Sequence, residues 1–178
     1  ADGTKENADT KPTNLYAEAK ITAERFVKHY QNHSGVDYAI VRPSGVYGPG
    51  DMDDRVLSKF FQKAMNNETR EVHDGDNKVD FTYVEDTADG IIKATLSDAK
   101  NMSFNITAGN ATTLRTAAEK VIALTGSKSD IVDTGANKLY PRRGTLDITR
   151  AKTQLGYEPK TSFDEGLEKY YEWLQLKI

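Results

Sequence analysis

Apolar residues recur at helical spacing through Leu15, Ala19, Thr22, Ala23, Phe26, Val27 and Tyr30. The pattern predicts a helix from a Thr13 or Asn14 cap to about Gln31, with that stripe buried. Asn-His-Ser-Gly at 32–35 closes it. The period then changes. VDYAIVRP, residues 36–43, is apolar at both alternate sets of positions, which predicts a strand covered on both faces, as in a parallel sheet. A loop with three glycines and a proline, SGVYGPGD, follows directly.

Further on, Val56, Leu57, Phe60, Phe61 and Ala64 mark one face of a helix over 53–66. REVHDGDNKVDFTYV predicts strand, turn, strand, with DGDN as the turn. Residues 85–97 form a helix with acidic residues in its first turn, which suits the helix dipole. A strand at 103–109, a helix closed by Gly126, a short strand at SDIVDT and a short helix at 146–156 come next. Ser162 and Glu165 form a capping box for a last helix carrying Phe163, Leu167, Tyr170, Tyr171 and Leu174. Helix and strand alternate throughout, so the class is α/β.

The 178 residues suffice for one domain or one and a half. Intermixed charges summing to -3 offer no electrostatic case for nucleic acid or an anionic membrane. The absence of cysteine excludes disulfides and thiol chemistry. No apolar run approaches the roughly 20 residues of a membrane span, and the polar start is no signal peptide. A cytoplasmic protein is expected. His29, His33 and His73 do not share a metal-ligand spacing, and no metal is expected. GDMDD at 50–54 reads as a solvated cap for the next helix, and Arg150 and Lys152 read as helix surface.

Tyr16 and Lys20 stand four residues apart, on one helix face. A free tyrosine, with a pKa near 10, is a poor base at neutral pH. A nearby ammonium favours the phenolate, and such a tyrosine can take a proton from a substrate hydroxyl while a nicotinamide takes the hydride. Roughly one Tyr-x-x-x-Lys pair is expected by chance in this composition, so the spacing alone decides nothing. Order adds weight: Tyr-x-x-x-Lys helix, buried strand, then a glycine–proline loop at the strand's carboxyl end, where open α/β sheets bind ligands.

Four stretches, in order from residue 11 to the end, resemble the extended short-chain dehydrogenase/reductases, in particular the NAD-dependent nucleotide-sugar epimerases and dehydratases. They are KPTNLYAEAK, IVRPSGVYGPGD, VDFTYVEDTADGI and RRGTLDITRAKTQLGYEP with its final helix. The resemblance implies Tyr16 as catalytic tyrosine and Lys20 as the lysine that lowers its pKa and holds the nicotinamide ribose. It implies Pro43 and Ser44 against the nicotinamide. Gly45, Val46, Lys78 and Arg142 or Arg143 fall at substrate positions, where a guanidinium fork suits a diphosphate. Tyr83 and Asp86 read as structural.

Two positions depart from the pattern. Gly45 stands where many such enzymes have an asparagine, and Val79 where many have a diphosphate-binding arginine. The family's opening strand and Gly-x-x-Gly-x-x-Gly turn, which seats the pyrophosphate, are not in this sequence. Nor is the Ser or Thr upstream of the tyrosine. Roughly the first 130 to 140 residues of a typical member are therefore expected to be missing.

The expected fold is the C-terminal part of a Rossmann-like parallel sheet plus a small mixed α/β substrate-binding domain. Residues 1–50 belong to the dinucleotide-binding side. Residues 51–178 belong mainly to the substrate side, with 79–109 packing back on the Rossmann sheet. The expected function is a portion of an NAD(P)-dependent nucleotide-sugar epimerase or dehydratase, homodimeric, with NAD or NADP bound by the full-length parent. The 178-residue piece by itself is expected to be inactive. The alternatives are a reductase or dehydrogenase of a non-nucleotide ketone or alcohol, and a non-catalytic binding module on the same fold.

Overall fold

In the computed structural model, which describes residues 3–136, 142 and 144–177, the chain is α/β with mostly parallel strand pairs. Helix α1 (Leu15–Ser34) starts at Asn14, whose Oδ1 accepts from the Ala17 N–H at 2.9 Å, and ends on left-handed Gly35. Strand β1 (Ala39–Pro43) pairs in parallel with β6 (Met102–Ile106). Beside this pair, β2 (Val46–Tyr47) runs parallel to β5 (Thr82–Tyr83). Strand β3 (Arg70–His73) runs parallel to β8 (Ile131–Gly135), and β4 (Lys78–Val79) runs antiparallel to β7 (Thr112–Thr113). The other helices are α2 (Val56–Met65), α3 (Val84–Leu96), α4 (Leu114–Thr125), α5 (Thr149–Leu155) and α6 (Phe163–Gln175).

Two hydrophobic clusters hold these elements. The larger packs Leu57, Phe60 and Phe61 of α2 against Ala117, Ala118 and Val121 of α4 and Leu167 and Tyr170 of α6, with Tyr47, Val72 and Val79 from the strands and Phe81 from the β4–β5 connection. The sequence-expected faces of α2 and α6 are therefore the ones that pack into this core. The smaller joins Ala94 of α3, Phe104 and Ile106 of β6, Ala151 of α5 and Tyr157, with Val41 of β1 against it. Gly90 permits this approach, because a Cβ there would run into Ile106 Cγ2 and meet Tyr157 Cε2 at 3.1 Å. Asp86 accepts from the backbone N–H groups of Lys160 and Thr161, which fits the structural role read for it.

Three expectations are corrected. The apolar stripe of α1 is not buried among the described residues: Leu15 is 89% exposed, Phe26 64% and Tyr30 63%. Periodicity identifies the apolar face of a helix but not what covers it. Strand β1 is shorter than 36–43 and only half-buried, because α3 lies against it while α1 contributes no buried residue. The hairpin over 70–84 does not form. The DGDN turn is present, with Asn77 N–H donating to Asp74 C=O at 2.8 Å. The turn docks on the start of α4, where Arg115 N–H donates to Gly75 C=O and Leu114 N–H to Asn77 C=O, so β3 and β4 take different partners.

The start of the described chain is also more than a loop. Thr4 bridges Leu146 in parallel, with Thr4 N–H donating to Thr145 C=O and Asp147 N–H to Thr4 C=O. Glu6 is buried. It accepts from Asn105 N–H at 3.1 Å, and Arg150 reaches within 3.8 Å of its carboxylate while donating to Ser103 C=O. Arg150 is thus a tie between segments, not ordinary helix surface. No helix among the described residues is long and apolar enough to cross a membrane.

Candidate active site

Tyr16 sits in the first turn of α1 and is 72% exposed. Lys20, one turn on, places its Nζ 5.4 Å from the centroid of the Tyr16 ring. Among the described residues neither side chain makes a hydrogen bond or ion pair, so the phenol and ammonium are presented together on an open face. A cation this close to the ring interacts electrostatically with it.

Pro43 ends β1, and the chain passes through half-buried Ser44 into Gly45 and then β2 at Val46. Gly45 has φ +51°, and its carbonyl accepts from Thr82 N–H at 3.2 Å. A Cβ there would stand 2.8 Å from Val79 Cγ1 and 2.9 Å from the Asp80 carbonyl oxygen. The two positions that depart from the resemblance are therefore direct neighbours, one lacking a side chain and the other apolar and buried.

Asp80, next to Val79, is fully buried. Its Oδ2 accepts from the Thr107 hydroxyl and the Leu146 N–H, each at 3.1 Å, and burial pushes its carboxyl above the usual carboxylate range. It ties the strand carrying Lys78 and Val79 to the end of β6 and to the 144–148 segment. Lys78 is exposed on β4. Arg142 is exposed and gripped by Asp74 through two bonds, Nε to Oδ2 at 3.1 Å and Nη2 to Oδ1 at 2.9 Å. The fork expected to hold a diphosphate holds a carboxylate at the DGDN turn, four residues before Lys78. Arg143 lies outside the described residues.

The SGVYGPGD loop shapes a cavity of about 220 Å³ lined by Val46, Gly48, Gly50, Asp51, Arg55 and Val84, among others. Arg55 was not singled out from the sequence, and Asp51 was read only as part of the GDMDD cap. GDMDD does not cap α2: the cap residue is Arg55, without a side-chain cap bond. Asp51 instead turns back on its own loop. Its Oδ1 accepts from Met52 N–H, its Oδ2 is buried with no hydrogen-bond partner among the described residues, and burial raises its carboxyl. The signal was there in principle, since a carboxylate and a guanidinium flank a glycine–proline loop at a strand end, but turn chemistry and site chemistry use the same residue types. A larger open depression of about 390 Å³, where α2, α4 and α6 meet Ser127, contains none of these residues.

Over residues 1–107, more than half its length, the chain matches the NAD dependent epimerase/dehydratase family. UDP-glucuronic acid decarboxylase 5 of Arabidopsis thaliana is 32% identical over 166 residues, covering 92% of this chain and 48% of that protein. The UDP-glucose 4-epimerase of Mycolicibacterium smegmatis is 26% identical over 184 residues, covering 98% of this chain and 57% of that one. The crystal structure of the Thermotoga maritima UDP-glucose 4-epimerase with UDP-glucose superposes with a TM-score of 0.94 at 28% identity, covering 99% of this chain and 58% of that one. The chain spans about half the length of the curated relatives it matches. Matched motifs and a shared Rossmann-type fold agree: the chain belongs to the NAD dependent epimerase/dehydratase family.

Proposed function

We propose that this chain is the catalytic-tyrosine and substrate-binding portion of an NAD-dependent enzyme that epimerises, dehydrates or decarboxylates a nucleotide-activated sugar. The observation that carries the reading is the Tyr16–Lys20 pair, with the ammonium 5.4 Å from the ring on an open helix face, in a chain of this family. The residues present fit the nicotinamide end of the dinucleotide: a phenol, an ammonium, and the Pro43–Ser44 backbone at the end of β1. No Gly-x-x-Gly-x-x-Gly for the pyrophosphate occurs in the 178 residues, so the chain by itself is expected to show no turnover.

Bound NAD would supply the hydride acceptor. Tyr16 accepts the proton of the sugar hydroxyl at its phenolic oxygen, and the Lys20 ammonium beside the ring offers a positive charge to the reacting phenol. Pro43 and Ser44 form the backbone wall beside the nicotinamide. Arg142, once released by Asp74, and Lys78 supply positive charge for a diphosphate.

The division of labour follows: residues 1–50 on the dinucleotide side and 51–178 mainly on the substrate side. That 79–109 packs back is supported by the β1–β6 pairing and by Val41 lying against the cluster of Phe104 and Ile106. A homodimer through α1 is part of the same reading, supported by its exposed apolar residues.

The neighbouring Gly45 and Val79 favour a second reading, a reductase or dehydrogenase of a non-nucleotide ketone or alcohol, because neither has a side chain that can donate to a sugar or phosphate oxygen. Incubating the full-length protein with NAD and UDP-glucose or UDP-glucuronate, with products followed by NMR, separates the two. Conversion of a UDP-sugar supports the first. No conversion, with hydride transfer to or from simple ketones or alcohols, overturns it in favour of the second.

A further inference from the structure

We propose that Glu24 and Arg42 form a strut that orients the Tyr16–Lys20 face of α1 against the carboxyl end of β1, making both positioning residues for the reaction. The proposal rests on the functional reading of Tyr16 and Lys20 given above.

Tyr16, Lys20 and Glu24 follow one another at four-residue intervals, and at about 100° per residue they fall within an arc of about 80°. They share one face. Glu24 is the member of that face tied to the sheet. Its Oε1 accepts from Arg42 Nε at 2.7 Å and its Oε2 from Nη2 at 2.6 Å. Arg42 lies in β1, immediately before Pro43. Its remaining terminal nitrogen, Nη1, donates to the Glu6 carbonyl at 2.8 Å. A planar guanidinium bonded in this way on three nitrogens cannot turn without breaking a bond, unlike a lysine, which acts as a point charge. Arg42 is therefore the junction of three segments: the strand ending at Pro43, the tyrosine helix, and the bridged 3–6 segment that leads into it.

Packing constrains α1 only weakly, since Ala17 and Ile21 are half-buried and no residue of the helix is fully buried. At the far end of the helix, Asn101 fixes the α1–β1 connection, donating from Nδ2 to Asp37 at 2.8 Å and from its backbone N–H to Tyr38 C=O at 2.7 Å. Tyr16 lies 18 residues before Ser34, about 27 Å along the axis, so a small pivot at that end becomes a large displacement at the phenol. Glu24 lies between the two. Lys28 also approaches Glu24, at 4.0 Å, but as one exposed turn-to-turn pair it links α1 only to itself. The Arg42 bonds hold the Glu24 carboxyl below its ordinary range, as expected of a persistent fork.

The test uses Glu24→Gln and Arg42→Lys in the full-length protein. For Glu24→Gln, kcat with a UDP-sugar is expected to fall about 10- to 100-fold with KM changed less than about 3-fold, because misplacement of a reacting group costs rate. Arg42→Lys, which keeps the charge but loses the fork, should fall between wild type and Glu24→Gln. A lowered Tm with kcat within about 3-fold of wild type would show a merely stabilising pair and overturn the proposal, as would a raised KM at constant kcat.

A second measurement does not depend on activity. The chain has no cysteine, so spin labels can be placed at Glu18→Cys on α1 and Met52→Cys beyond the glycine–proline loop. Their distance distribution in the 178-residue chain should broaden on adding Glu24→Gln, and an unchanged distribution overturns the strut. Failure of wild-type protein to turn over UDP-sugars would sink the functional reading alone, leaving this distance to decide the strut.

Discussion

Arg70 enters the larger core with no salt-bridged carboxylate among the described residues. Its guanidinium carbon lies 3.8 Å from the centroid of the Phe60 ring, Nη1 donates to the Lys59 carbonyl, and burial pushes its pKa down to about 10. A buried cation with so little compensation is costly, and replacing such a group with an apolar one of similar length is often neutral or stabilising. Arg70→Met is therefore expected to leave stability unchanged or raise it by about 1 kcal/mol in denaturant unfolding. A loss above about 2 kcal/mol would mean that the ring contact and single bond outweigh desolvation. At this scale the adjacency of Tyr16 and Lys20 was legible, because residues four apart share a helix face. The roles of Glu6 and Glu24 were not, because their partners are distant in sequence, Asn105 for Glu6 and Arg42 for Glu24.

Elements whose apolar face meets a partner within the chain followed their pattern. Helices α2 and α6 pack the expected residues into the larger core, and Gly126 and Ser162 end or begin their helices as read. Helix α1 shows equally clear periodicity and an exposed stripe, since period is a property of one segment and burial of two. The 70–84 stretch shows the same limit: the turn was readable, but its docking on the first amides of α4 was not. Helix α3 offers a direct check of close packing. Gly90→Ala is expected to destabilise by about 1–3 kcal/mol, because the added methyl must displace Ile106 and the Tyr157 ring from the smaller core. Thermal unfolding that matches wild type would show that β6 yields without cost.

For the whole molecule, two cores share one chain, and the segments around the candidate site are drawn together by buried polar ties. Asp80 links the β4 region to Thr107 and Leu146, and Asn105 binds the carbonyls of Thr4 and Asp147. The α/β class and family were legible from ordered motifs. The convergence of residues 4–6, 42, 80, 105 and 145–147 was not, because they lie in stretches of chain far apart in sequence. The account as a whole stands on one phenol. The most direct measurement compares kcat of the full-length protein and its Tyr16→Phe variant on a UDP-sugar with NAD, at equal substrate saturation. Loss of proton transfer by a positioned side chain predicts a fall of about 10²- to 10⁴-fold with substrate binding retained. A kcat within a few-fold of wild type would contradict the role of Tyr16, and with it the proposed active site.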